Sequence, residues 1–533
     1  MKRILTAFAA ALMLAAVPST GQDNSQFILT PKAPETPHIN GPKVYGAHPQ
    51  VDFLYKVPAT GVRPMTFSAK GLPKGLSIDY RTGIISGKAK KAGEYIVTLK
   101  AENELGSDTR ELRIVIGGKL ALTPPLGWNS WNCWGNSVSQ EKVMSSANAL
   151  IEKGLDQYGW TYINIDDGWQ GLRGGKYNAI QPNSKFGDMK ELADYLHSKG
   201  LKLGIYSGPW VGTYAGHIGT TCENEDGKYW WVEQGIVDDV WKLDRSKQKR
   251  DSLWYFGDVS FAKQDAKQWA DWGVDYLKYD WNPNDRYYLR DMYDALRECG
   301  RDIIYSISNS SPIALGPYLQ QYAQCWRTTG DIRDNWDSIF KIGFGGQDRW
   351  AGYKGPGNWP DADMLVVGKV GWGPKTHWTN LTPDEQYTHI TLWSILASPL
   401  LIGCDIAEMD DFTISLLCNS EVLDVNQDAL GKQASRIYGD NTYATYLKPL
   451  EDGSVAIAMF NLSDKPRKIG FIPVKIGLIG EQIVHDLWRQ KDIAVIGNHH
   501  DRWETEVASH GVVFLRLSPG VQDVKITGMI RSR

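Results

Sequence analysis

Between residues 119 and 425, short apolar stretches alternate with longer amphipathic ones, and no other feature restricts the fold as tightly. The apolar stretches end at Asn129, Asp167, Ser207, Asp280, Ser308, Asp331, Asp363 and Asp405. Helical periodicity fills several of the gaps, over Val143 to Lys153, Met189 to Ser198, Phe261 to Trp272 and Tyr287 to Arg297. Parallel strands need crossover helices, and eight such units close a sheet on itself, so the pattern predicts a (β/α)8 TIM barrel. The interval from Trp210 to Asp258 is far longer than an ordinary connection and is rich in Trp, Tyr and charge. It is expected to overhang the barrel mouth.

The 533 residues exceed what one core can organise, and the flanks read as separate units. Residues 23–118 show short alternating strands, among them Leu76 to Tyr80, Gly83 to Gly87, Tyr95 to Ala101 and Leu112 to Ile116. Residues 426–533 lose the helical period, and Tyr443 to Leu447, Val455 to Asn461, Ile483 to Leu487 and Gly511 to Leu517 read as strands. The expected fold class is therefore multidomain. A central barrel over 119–425 stands between an N-terminal all-β domain and a C-terminal antiparallel β-sandwich. Residues 1–22 have a basic start, an apolar run from Ile4 to Val17 and a small, polar exit. That is a signal-peptide layout too short for a membrane span, so export to the periplasm or beyond the cell is expected.

Composition narrows the partners. Net charge is only -3 and no long basic run occurs, which argues against a nucleic-acid partner. The 22 Trp and 25 Tyr offer flat faces that stack on sugar rings as readily as they fill cores. Six cysteines, at 133, 222, 299, 325, 404 and 418, lack C-x-x-C spacing, so neither a zinc site nor a disulfide framework is indicated. One or two bridges stay open, as does oligomeric state. No phosphate-binding glycine loop or serine elbow is present, and no metal or cofactor is expected.

Chemistry concentrates where barrel strands end. Ile163-Asn164-Ile165-Asp166-Asp167 closes with two carboxylates. Tyr276-Leu277-Lys278-Tyr279-Asp280 places Lys278 and Asp280 on one side under strand alternation. Cys325-Trp326-Arg327-Thr328-Thr329-Gly330-Asp331 adds an arginine and another carboxylate. A single strand-end Asp is an ordinary turn residue, but several on one barrel make a pocket. Carboxylates with one Lys and one Arg, framed by Trp, suit a neutral polyhydroxylated substrate.

These stretches resemble the clan of retaining α-galactosidases and α-N-acetylgalactosaminidases known as glycoside hydrolase family 27. The likeness runs through Pro125-Leu126-Gly127-Trp128-Asn129-Ser130-Trp131, Asp166-Asp167-Gly168-Trp169 and Gly204-Ile205-Tyr206-Ser207. It continues through Lys278-Tyr279-Asp280, Arg327-Thr328-Thr329-Gly330-Asp331, Asp361-Ala362-Asp363-Met364 and Gly403-Cys404-Asp405. The resemblance implies an enzyme with Asp280 as nucleophile and Asp331 as acid/base. It implies that Trp128 packs on the sugar and that Asp166 and Asp167 bind its 4- and 6-hydroxyls. Tyr206, Lys278 and Arg327 would complete the hydroxyl contacts, with Asp363 and Met364 at the mouth. On that reading Lys278 and Arg327 keep Asp280 ionised while Asp331 holds its proton. The stretch from Leu72-Pro73-Lys74-Gly75-Leu76 to Ile84-Ile85-Ser86-Gly87 resembles Ig-like modules attached to bacterial surface enzymes, with a spacer or packing role favoured.

Three positions depart from the resemblance. Trp281 and Asn282 replace an Asn-Cys pair, so Cys222 loses the partner the family gives it. Ser308 and Ser311 stand near the sugar's 2-position, where galactosidases carry larger residues. They suggest room for a 2-acetamido group unless a neighbour such as Trp281 fills the space. Pro360 stands where the family has Asn. An α-N-acetylgalactosaminidase, an α-glucan hydrolase of the same fold and a non-catalytic glycan-binding barrel are the alternatives.

Overall fold

The computed structural model describes residues 24–233 and 250–520. The expected signal peptide lies outside the described residues, as does the middle of the long insertion.

The barrel strands are β1 (Leu126–Asn129), β2 (Tyr162–Asn164), β3 (Lys202–Ser207), β4 (Tyr276–Asp280), β5 (Ile304–Ser308), β6 (Cys325–Arg327), β7 (Trp359–Asp361) and β8 (Leu400–Ile402). They pair in parallel from β1 through β7, and β8 pairs with β1. The seam between β7 and β8 is closed further on, where Leu365 bridges Ile402 and the Leu365 amide donates to the Leu401 carbonyl at 2.8 Å. Pro360 at the centre of β7 accounts for this, since it has no amide to offer a second neighbour and proline sits at sheet edges.

Four strands stop short of the expected residue. Asp167, Asp331, Asp363 and Asp405 lie beyond the ends of β2, β6, β7 and β8. Strand pairing ends as the barrel opens toward its mouth, and these carboxylates belong to the loops that follow. Asp363 adopts a left-handed conformation, with φ at 81°. For a residue other than Gly that is a strained geometry of the kind found at functional sites.

The outer helices start where side-chain caps appear. In α1 (Gln140–Glu152) the Ser139 hydroxyl accepts from the Lys142 amide. In α2 (Met189–Ser198) and α4 (Arg286–Glu298) the carboxylates of Asp188 and Asp285 take first-turn amides. Between these two, α3 (Ala262–Trp272) ends on Gly273 with positive φ. Helix α5 (Pro383–Ile395) opens with a capping box between Thr382 and Glu385. From Glu385 onward every residue of α5 is buried, because the helix lies between the barrel and the C-terminal domain.

That domain has a six-stranded antiparallel sheet facing the pair Arg467–Phe471 and Trp503–Val507. Ile457, Met459, Ile469, Phe471 and Leu515 fill the space between the layers. Its other face joins the barrel core through Tyr446, Phe460 and Phe514. The N-terminal domain is a four-stranded and a three-stranded sheet around a separate core that includes Ile85, Val97, Leu112 and Ile114. It docks beneath the barrel at the strand N-termini. Lys56 Nζ meets Asp156 Oδ2 at 2.7 Å, His48 Nδ1 meets Asp302 Oδ1 at 2.6 Å, and Tyr45 bonds Lys202.

Candidate active site

Asp280 closes β4 inside the barrel mouth and is 8% exposed. The Tyr206 hydroxyl donates to its Oδ2 at 3.2 Å. Its Oδ1 is buried and accepts no hydrogen bond among the described residues. Burial pushes the carboxyl up to about 7, Lys278 pulls against that shift, and the charges of Asp331 and Asp166 add to it.

Lys278 is itself paired with another carboxylate. Its Nζ donates to Asp166 Oδ2 at 2.8 Å, and Asn129 Nδ2 donates to the same oxygen at 2.8 Å. Arg327 is likewise shared, with Nη1 at 2.8 Å from Asp363 Oδ1 and Nη2 at 3.3 Å from Asp331 Oδ1. Asp363 Oδ2 accepts from the Ile332 amide at 2.7 Å, which ties the loop carrying Asp331 to the loop after β7. The Asp331 side chain is 52% exposed. Burial raises its proton affinity, but Arg327 and then Lys278 outweigh that and hold it below the usual carboxylate range.

The expected division of protons is therefore reversed in this structure. Asp280 is the carboxyl whose proton affinity is raised, to about 7, and Asp331 the one held below the usual range. The reason is burial, which outweighs the pull of Lys278 and is reinforced by the charges of Asp331 and Asp166.

Lys278, Ser308, Arg327, Asp363 and Met364 line one cavity together with Asn129 and Asp361. Asp361 is pushed up to about 6 by burial against the pull of Arg327, and its Oδ1 accepts from the Asp363 amide at 2.8 Å. Neither Asn129 nor Asp361 was singled out for the site, although both stand at the ends of strands whose neighbours were. Trp128, expected to pack on the sugar, is instead fully buried, with Nε1 donating to the Cys404 carbonyl at 2.8 Å, and strand alternation turns it to the side of β1 opposite Asn129.

Asp167 is engaged by the insertion that follows β3. Its Oδ1 accepts from the Thr213 hydroxyl at 2.8 Å and its Oδ2 from the Ala215 amide at 2.7 Å. Between them stands Tyr214, packed edge-on against Trp210 and Trp254 at 5.3 and 4.9 Å. The insertion thus overhangs the mouth through Thr213, Tyr214 and Ala215, which composition alone could not single out.

The departures also resolve in space. Trp281 points away from the cavity, with Nε1 donating to Asp285 Oδ2 at 3.1 Å and its ring packed on Tyr279. Ser311 donates to Asn284 Oδ1 at 2.7 Å, so of the two serines only Ser308 borders the cavity. All six cysteines lie in the described residues and each is unpaired.

A parallel barrel with carboxylates, a lysine and an arginine gathered at its C-terminal face is the layout of a glycoside hydrolase. The Alpha galactosidase A family matches residues 123–250 and 235–428, and the Alpha galactosidase C-terminal beta sandwich domain matches 440–517. The chain belongs to this α-galactosidase family of glycoside hydrolases. An Ig-domain family also matches residues 20–117.

Alpha-galactosidase 2 of Arabidopsis thaliana is 35% identical over 73% of this chain and 89% of its own. Alpha-galactosidase A of Cellvibrio japonicus is 35% identical over 75% of this chain and 93% of its own. A solved Bacteroides fragilis structure, provisionally assigned as an α-galactosidase/melibiase, covers 92% of this chain and 99% of its own at 34% identity and TM-score 0.79. A β-L-arabinopyranosidase from Geobacillus stearothermophilus covers 75% of this chain and 98% of its own at 28% identity and TM-score 0.61.

Proposed function

We propose that the protein is an exported, exo-acting α-galactosidase that retains configuration, with Asp280 as nucleophile and Asp331 as acid/base. Supporting this most directly is the contrast between the two carboxyls. Asp280 is buried, with Tyr206 on one oxygen and the other unbonded among the described residues. Asp331 stands at the exposed rim on Arg327.

Asp280 Oδ1 attacks the anomeric carbon as the glycosidic bond breaks, and Asp331 protonates the departing oxygen. Asp331 then takes a proton from water as that water displaces the ester, so two inversions give retention. The carboxyl pair carries one proton near neutrality, which is the number the reaction needs. That proton must pass to Asp331 as the sugar arrives. A sugar covering Asp331 strips water from it and raises its proton affinity, which drives the transfer.

Asp166, Tyr206, Lys278, Arg327, Asp363 and Met364 form the walls of the sugar site. Thr213 and Ala215 lie over Asp167, which favours a closed pocket and terminal sugars over an open groove. A second reading, α-N-acetylgalactosaminidase, draws support from the small side chain of Ser308 at the end of β5, beside Asp280 in the sheet. Residues 1–22 support export.

The test is hydrolysis of matched aryl α-glycosides, namely galactoside, N-acetylgalactosaminide, glucoside and arabinopyranoside, with Asp280→Asn in parallel. Preferred cleavage of the galactoside by the parent and none by the variant is expected. Preference for the N-acetylgalactosaminide would shift the assignment to the second reading, and cleavage of none would leave a glycan-binding barrel.

A further inference from the structure

We propose that Tyr214, on the insertion after β3, receives the leaving-group sugar beside the catalytic pair, and that Asp167 is the positioning residue that holds it there. This rests on the galactosidase reading above and adds a residue that lies outside the motifs of the barrel strands.

The geometry is that of a fixed side chain. Asp167 grips the residues on both sides of Tyr214, through the Thr213 hydroxyl and the Ala215 amide. The segment is a tight turn, in which the Thr213 amide donates to the His217 carbonyl at 2.7 Å and the Gly216 amide to the Thr213 carbonyl at 2.9 Å. Gly216 has φ at 82°, a conformation that favours glycine. The buried His217 ring lies 2.8 Å from Asn136 Oδ1 and 3.2 Å from the Gln170 carbonyl, which pins the turn to the loops after β1 and β2. Trp210 and Trp254 brace the Tyr214 ring and stack on each other at 5.8 Å.

Thr213 and Ala215 are buried, whereas Tyr214 remains partly exposed. The grip of Asp167 sets the ring at the barrel mouth, where its hydroxyl lies in the field of Asp280 foremost and Asp331 less. A braced aromatic ring with a phenol near the acid/base is suited to the unit that departs with the glycosidic oxygen. The ring offers a face to sugar C–H groups, and the hydroxyl can hydrogen-bond that unit. A pre-set aromatic wall also loses little entropy on binding.

The leaving group itself is the discriminating variable. An α-galactosyl disaccharide places a sugar against Tyr214, whereas α-galactosyl fluoride has no leaving-group sugar. The quantity to measure is the ratio of kcat/KM for the disaccharide to kcat/KM for the fluoride. In Tyr214→Ala this ratio should fall roughly ten-fold or more, because the lost contacts exist for one substrate only. Tyr214→Phe should give an intermediate fall. Thr213→Val, which cuts one arm of the Asp167 grip, should lower the ratio in the same direction without touching the tyrosine. An unchanged ratio in Tyr214→Ala, or a rise, would mean that Tyr214 only fills space and would overturn the inference. Failure of the parent protein to cleave either compound would instead sink the galactosidase reading on which it rests.

Discussion

Lys278 Nζ lies 2.8 Å from Asp166 Oδ2, so the cation nearest the end of β4 is already paired with a carboxylate other than Asp280. Burial raises the proton affinity of Asp280, and the negative charge of Asp166 adds to it against the pull of Lys278. That contribution makes Asp166 a control on the pH dependence of the reaction.

Asp166→Asn should move the alkaline limb of kcat/KM to lower pH. The catalytic pair must hold one proton, and in the free protein the last proton leaves near 7, with Asp280. Removing Asp166 takes away a charge that raises Asp280 and frees Lys278 to lower it further. A pH–rate profile of the variant reads the shift even though its absolute rate falls. An alkaline limb that stays in place would show that Asp166 does not raise the proton affinity of Asp280.

Asp280→Asn should be inactive yet more stable than the parent, and by an amount that depends on pH. The native carboxyl is raised to about 7 from the ordinary 3.8. The folded state therefore binds the proton more tightly than the unfolded state, and stability falls as pH rises between about 4 and 7. The amide cannot ionise and escapes that loss. Thermal midpoints should coincide near pH 4 and separate by pH 8, as the stability difference grows to the order of a few kcal/mol.

Asp265→Asn should destabilise the protein by about 3–5 kcal/mol, because it leaves a buried arginine without its counter-charge. Arg173 makes two bonds to Asp265 at 2.7 and 3.0 Å, with both side chains at most 1% exposed. Arg173 also donates to the Tyr229 hydroxyl and the Gly219 carbonyl in the insertion. Urea unfolding monitored by Trp fluorescence measures the loss. A change below about 1 kcal/mol would place the pair among weak surface-type bridges.

Removal of residues 23–118 should lower the melting temperature while sparing the kcat/KM of the folded fraction. The N-terminal domain covers the barrel floor around Tyr162 and Lys202, at the opposite end from the site. Differential scanning calorimetry and active-site titration of the truncated protein separate the two effects. Loss of kcat/KM with an unchanged melting temperature would instead assign the domain a direct part in substrate handling.

The sequence by itself determined the barrel and the ends of β1, β3, β4 and β5, because both are local signals. Period-2 and period-3.6 patterning act within one element, and Asp280, Ser308 and Ser207 end their strands where the alternation stops. Asp331 and Asp363 were legible as carboxylates after strands, but not as members of loops joined through Arg327 and the Ile332 amide.

Tertiary structure decided what depends on partners distant in the chain. Helix α5 carries little amphipathic signal because both its sides are covered, one by the barrel and one by the C-terminal sheet. The seam at Pro360, the docking of the N-terminal domain and the place of Tyr214 against Trp210 and Trp254 likewise follow from long-range packing. The protonation of Asp280 is the sharpest case. A lysine two residues earlier suggests a carboxylate held ionised, and only the fold shows Asp280 buried and that lysine paired with Asp166. Charge in a buried site acts through distance and desolvation, and neither is encoded in spacing along the chain.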